Sequence, residues 1–166
     1  MAHRLLWEGY MFDASQGDWV AQAGTVLGNL LPHLPETDDH HFGGVFCLAR
    51  SNGQPILVTV VGDVARNKHP QCWTHALEKA TRIGKNGDDS ARLTRCPPEQ
   101  WAGAFRSRAS GFIGSFSGLP EDFDEIFVVN LMVDIGAMEP HEAFELVRDN
   151  PEFERLRKAG ACIWAD

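Results

Sequence analysis

The segment Gly43-Gly-Val-Phe-Cys-Leu-Ala-Arg-Ser-Asn-Gly-Gln-Pro-Ile-Leu-Val-Thr-Val-Val61 reads as two strands and the turn between them. Gly43 to Arg50 is an apolar run of strand length, and Pro55 to Val61 is dense in β-branched residues, which fit a pleated, half-buried surface. Between them, Ser51-Asn-Gly-Gln54 contains an Asn-Gly pair, which favours positive φ in a two-residue hairpin turn. An antiparallel hairpin here, with helices on either side of it in sequence, predicts an α+β domain.

Upstream, Asp18 can cap a helix whose apolar positions Val20, Ala23, Leu27, Leu30 and Leu31 recur at helical spacing until Pro32 ends it. Downstream, Pro70 can open a second helix with Trp73, Ala76, Leu77 and Ala80 on one face and Gly84 placed to stop it. A short helix from Pro98 to about Arg106 would bury Trp101 and Phe105. Gly111-Phe-Ile-Gly-Ser-Phe-Ser-Gly118 then reads as a strand ending in a backbone-rich loop, followed by an acidic helix start at Glu121, Asp122, Asp124 and Glu125. Asp124 to Ile135 fits two patterns. Phe127-Val-Val and Leu131-Met-Val suit a buried strand, whereas Asn130 and Asp134, four apart, suit the polar stripe of a helix; we read a helix. Pro140 and Asn150-Pro151 open two closing helices, the first burying Phe144, Leu146 and Val147, the second Phe153 and Leu156.

A chain of 166 residues and 18.4 kDa suits a single domain, 1–166, able to bury a core without disulfides or a metal. The net charge of −8 opposes nucleic-acid binding through a basic surface, and Arg92, Arg95, Arg106 and Arg108 form the one basic stretch that could face an anion. No segment approaches the roughly 20 apolar residues of a membrane span, and Met1 to Tyr10 lacks the apolar core of a signal peptide. The expectation is a cytoplasmic protein with neither membrane nor nucleic acid as partner. Cys47, Cys72, Cys96 and Cys162 are scattered, which suits reduced, packed thiols.

The order helix, hairpin, helix, strand, small-residue loop and acidic helix resembles the GlcG/haem-binding-protein family. The likeness is carried by Gly43 to Val61, by Ala76-Leu-Glu-Lys-Ala80, similar to that family's Ala-x-x-Lys-Ala helix, and by Ile113-Gly-Ser-Phe-Ser-Gly118 with Asp124-Glu125. It departs at Cys96-Pro-Pro-Glu-Gln-Trp101, where the family has Gly-Gly-x-Pro, and in the closing helix pair from Glu139 to Gly160, which reads as an addition. The resemblance implies a profilin- or PAS-like five-stranded antiparallel sheet flanked by helices, with a C-terminal helical extension. It also implies a small-molecule-binding domain, with haem or a small organic acid as ligand. For haem, His75 is the first candidate axial ligand and His69 the second.

The residues themselves point less sharply. The ligand pocket is expected between the sheet and the helix carrying Trp73 and His75, with Ser115, Ser117 and Gly118 supplying polar groups and close backbone. Asp38-Asp39-His40-His41 and Cys72-x-x-His75 each hold metal-ligand side chains, but neither completes a site, and a solvated loop and helix packing account for them better. A cysteine nucleophile with a histidine base lacks an identifiable pair, and Gly114-Ser-Phe-Ser-Gly118 is not a hydrolase elbow, which needs Ser in the middle position. The carboxylates of the acidic helix start could serve acid–base chemistry, although capping explains them. Three functional classes therefore stand: a binding domain, which is the expectation; an enzyme using His75 and the Ser115/Ser117 loop on a small acid or haem; and a homo-oligomeric interaction module built on the closing helices. The backbone near Ser115–Gly118 is expected to approach another chain segment or a ligand too closely for larger side chains.

Overall fold

The computed structural model describes residues 4–7, 10–13, 16–36 and 41–165. In chain order its elements are β1 (Arg4–Trp7), β2 (Tyr10–Asp13), α1 (Gln16–Leu30), β3 (Phe42–Ala49), β4 (Pro55–Asp63), α2 (His69–Asn86), β5 (Ala104–Arg106), β6 (Ile113–Ser117), α3 (Glu121–Asp134), α4 (Pro140–Val147) and α5 (Phe153–Lys158). β1 and β2 make a two-stranded ribbon, and the main sheet is antiparallel in the order β4-β3-β6-β5. The class is α+β, as expected. Where the family resemblance implies five strands, the described sheet has four.

β3 is buried from Gly43 to Ala49 because helices cover both faces of the sheet. Val45, Cys47 and Ala49 pack with Ala76, Ala80 and Ile83 of α2, while Phe46 and Leu48 join α1 and α3 in the larger core on the other face. Strand alternation sorts the next strand the same way: Ile113 belongs to the α2 side and Phe116 stacks on Phe127 of α3, ring centroids 3.9 Å apart. The hairpin turn is one residue longer than the Asn-Gly pair predicts. Arg50 N–H donates to Gln54 O at 2.9 Å, Gly53 N–H donates to Arg50 O at 2.8 Å, and Gly53 sits at φ +85. This is a three-residue loop whose last residue is left-handed, the next commonest hairpin solution.

Gly84 does not stop α2, which continues to Asn86 and is capped by Gly87 at φ +78. Gly84 is instead the point where α2 crosses the hairpin turn, since a Cβ there would stand 2.2 Å from Gly53 N. α1 starts at Gln16, which puts Asp18 in the first turn rather than at the cap. Val20 is exposed, whereas Ala23, Leu27 and Leu30 face the core as expected. Trp73 is also mostly outside, 42% exposed, because the sheet-facing stripe of α2 runs through Cys72, Ala76, Ala80 and Ile83.

The helix expected over Pro98 to Arg106 is a loop followed by β5, an edge strand paired with β6 through Ala104↔Ser115, Phe105↔Gly114 and Arg106↔Ile113. Three residues are too few for a period-two pattern, so the aromatic spacing suggested a helix while tertiary pairing made a strand. α3 is a helix, but Asn130 is not on a polar stripe. It is buried, donating through Nδ2 to Ala161 O at 2.7 Å and accepting the Trp164 indole N–H on Oδ1. Every residue from Phe123 to Met132 is buried, because the sheet lies on one side of α3 and α1, α4 and α5 on the others. A helix enclosed in this way is buried all round and loses its periodic signature.

α4 and α5 are not peripheral: Ala143, Val147, Phe153 and Leu156 belong to the main core, although Phe144, expected inside, is exposed. Asn150 is buried, accepts Glu152 N–H on Oδ1 and donates to Asp122 O and Glu125 Oε2, tying the closing helices to the start of α3. The basic stretch is likewise committed to partners within the chain, at the surface for Arg92, Arg95 and Arg108. Arg92 pairs with Asp122 and Glu125, Arg95 with Glu121, Arg106 donates to the carbonyls of Ser51, Ile83 and Asp88, and Arg108 pairs with Asp89. It therefore presents no open anion-binding face. Among the described residues, no helix is long and apolar enough to cross a membrane.

Candidate functional site

The end of β6, one face of the first turns of α2 and the amino end of α3 enclose a cavity of about 410 Å³. Strand alternation points Ser117 into it, and Gly118, Leu119 and Pro120 carry the chain around its rim into α3. Lys68, just before α2, and Cys72, His75 and Lys79 along one stripe of it, at the border of its sheet-facing side, form the other wall. Two helix amino ends thus bring their positive dipole ends near one cavity.

Lys79 is the unusual residue on this wall, a charge on the buried stripe of α2 that is only 1% exposed. Its Nζ donates to Phe116 O at 2.6 Å and to Asp124 Oδ2 at 2.9 Å. Asp124 is 3% exposed, and its Oδ1 accepts the Leu119 N–H at 2.9 Å. An ammonium has three N–H donors, so one remains without an acceptor among the described residues, on a side chain that lines the cavity. Gly103 closes the other side of the pair. It adopts φ +108, and a Cβ there would lie 2.7 Å from Asp124 Cβ and 2.8 Å from Lys79 Nζ. The pair is thus boxed in by backbone and reachable from the cavity.

Burial pushes the Asp124 carboxyl up to about 7, against the pull of Lys79 and the Leu119 N–H. Burial also raises the Cys72 thiol, with the Asp124 charge adding to it, and burial followed by the Lys79 charge lowers His75. Such a thiol and imidazole are poorly suited to forming a thiolate–imidazolium couple, which removes the basis for a Cys72 nucleophile. Burial alone would raise Glu121, but Arg95 and the Ala102 N–H outweigh it and hold the carboxyl low. Each of the four carboxylates at the start of α3 has a partner, and Asp124 is the one whose partner also faces the cavity.

Of the positions expected from sequence, the fold gathers His75, Ser117 and Gly118 at this cavity. Ser115 is one strand turn too deep: its hydroxyl donates to Ala76 O at 2.6 Å and pins α2 to the sheet. His69 does not line the cavity, and its Nε2–H donates to Val64 O at 2.9 Å. Trp73 faces the opposite way, into an open groove of about 690 Å³ on the outer side of α2, where Arg82 is already committed to Glu78, Ala91 O, Thr94 and Trp101 O. The space between sheet and helix where Trp73 and His75 were to meet is filled by Ala76, Ala80, Val45 and Cys47. Asp38, Asp39 and His40 lie outside the described residues. His41 joins the cavity rim, with its Nδ1–H donating to Gly118 O at 2.8 Å. Among the described residues no cluster of three or more His, Cys, Asp and Glu could hold a metal.

Comparison with family models, with curated proteins and with solved structures gives no match to this chain. The reading of the site therefore rests on its own geometry. Lys79 and Asp124 were in view in the sequence only as parts of short motifs. The signal that finds them is positional: Lys79 follows Cys72 and Ala76 on the sheet-facing stripe of α2, where a lysine is out of place unless it has a buried counter-charge.

Proposed function

We infer that this domain binds a small organic acid, whose carboxylate is received by the remaining N–H of Lys79. That unfilled donor, buried at the wall of a cavity of ligand size, is the observation that carries the reading. Two helix amino ends and Lys68 add positive potential to the same cavity, whose two carboxylates, Asp124 and Glu121, are paired with Lys79 and Arg95. Ser117 contributes a hydroxyl with no partner among the described residues. Within the family resemblance, the small acid suits this cavity better than haem. A porphyrin needs broad apolar walls, whereas these walls carry Lys68, Gln71, Lys79 and Asp124, and His69 is turned away.

The test titrates the purified chain with acetate, lactate, succinate and benzoate by calorimetry, and with haemin by Soret absorbance. Saturable binding of at least one acid is expected, weakened several-fold by His75→Ala, whose imidazole makes no hydrogen bond among the described residues. A saturable Soret shift lost in His75→Ala, with no acid bound, would replace this reading by haem ligation.

Self-association is a second reading, favoured by β4. This edge strand carries no charged residue from Pro55 to Gly62, leaves Ile56 42% exposed, and has no strand on its outer side among the described residues. Antiparallel pairing of two β4 edges would make a two-fold dimer. Sedimentation should give a dimer mass that Ile56→Lys converts to monomer without loss of thermal stability; a monomeric parent at all concentrations contradicts it.

A further inference from the structure

We propose that the cavity takes up a monocarboxylate together with one proton, which Asp124 stores. The inference rests on the binding reading above and adds its ion chemistry. Among the described residues Lys79 Nζ is the single cation in direct contact with Asp124, at 2.9 Å, and both side chains are almost fully buried. An arriving carboxylate that claims the third N–H places two carboxylates on one ammonium in a water-poor site. Like charges so close do not both stay ionised there, as in carboxylate dyads that share a proton.

The surroundings direct the proton to Asp124. From α2 the pair is faced by Lys68, Cys72 and His75, and from the rim by His41. On α3, Arg95 holds Glu121 ionised, and Glu125, although burial raises it too, has Arg92 and Asn150 on its oxygens and shares no hydrogen bond with Lys79 among the described residues, so the proton goes to Asp124. The adjacent Glu125 charge further disfavours an ionised Asp124. Asp124 is already poised for protonation by its burial. A proton from the buffer adds to Oδ2, while Oδ1 continues to accept the Leu119 N–H. The Lys79 N–H formerly held by Oδ2 is then free to turn to the ligand, and no covalent bond other than the new O–H is made. Selectivity follows: a dicarboxylate brings a second charge that this single stored proton does not offset, so monocarboxylates are the preferred class.

Calorimetric titration of the full chain with benzoate, at about pH 8 in Tris and again in HEPES, separates the two claims, because buffers of different ionisation enthalpy report protons taken up. Binding heat in either buffer tests the cavity as an acid site, and the difference between buffers tests the proton. The expected result is a buffer-dependent enthalpy equivalent to nearly one proton in the parent; any benzoate binding that remains in Asp124→Asn should show equal enthalpies in the two buffers. Parent affinity should also fall about tenfold per pH unit above about 7, a readout that does not depend on the variant's folding. Equal enthalpies in both buffers with measurable binding overturn the proton and leave the binding site standing; absence of binding by every acid overturns both.

Discussion

Lys79→Met is expected to lower the unfolding free energy by about 3–5 kcal/mol, the usual cost of stranding one member of a buried ion pair. Methionine fills the space of the aliphatic stem, so the loss isolates the charge. Asp124 would keep only the Leu119 N–H as a partner, with Phe116 O also losing its donor. The effect should depend on pH in a defined direction. In the parent, burial holds the Asp124 carboxyl near 7, above the roughly 3.9 of an unfolded aspartate, so between those values the native state carries the extra proton. The contribution of this group is fully present below the unfolded value and is lost as pH rises through the native one. Removing Lys79 takes away the main influence holding Asp124 down and shifts that native value higher. The deficit of Lys79→Met relative to the parent should therefore widen above about pH 7. Urea denaturation across pH checks this, and Lys79→Met/Asp124→Asn should recover most of the loss and flatten the profile. A pH-independent deficit in the single variant contradicts a charged pair at this position.

Gly118→Val is expected to cost about 3 kcal/mol or more, or to prevent folding altogether. A Cβ at Gly118 would stand 2.2 Å from Gly43 O and 2.4 Å from Gly44 Cα. The contact is reciprocal, since a Cβ at Gly44 would lie 2.3 Å from Ser117 O. These are backbone atoms next to the Val45↔Ser117 pairing, so no side chain can rotate away, and β3 and β6 would have to separate where the cavity begins. Gly87→Ala is the useful contrast. It sits at φ +78 with nothing within 4 Å of its Cβ, so its cost is the conformational one alone, about 1 kcal/mol. Equal melting temperatures for Gly118→Val and the parent would show that the two strands do not meet as described.

The parts of the fold that were legible in the sequence are those whose signal is local. The β3–β4 hairpin announces itself through β-branched runs and Asn-Gly, and the close approach at Gly118 through a glycine ending an apolar strand. The parts that were not legible depend on partners distant in sequence. β5 exists because β6 lies beside it, and Gly84 is small because Gly53 crosses it, although in sequence Gly84 looks like an ordinary helix stop and Gly53 like an ordinary turn residue. The same holds at the site. His75, Ser117 and Gly118 could be named from residue type, but Trp73 falls on the outer side of α2, and Ser115, on the same face of β6 as Ser117, lies two residues deeper and is held by Ala76 O. Lys79 and Asp124 are separated by 45 residues, and only the packing of α2 and α3 across the end of β6 makes them one object. A lysine on a buried stripe and an aspartate opening a helix each have ordinary readings until they are found 2.9 Å apart.

The central claim, that a carboxylate completes the donor set of Lys79, is tested most directly by a crystal structure of the full chain with benzoate bound. The account predicts a benzoate oxygen within hydrogen-bonding distance of Lys79 Nζ, its ring directed towards the Trp101 and Leu119 side of the cavity. An empty cavity at saturating benzoate, or benzoate seated only in the outer groove beside Trp73, would contradict it.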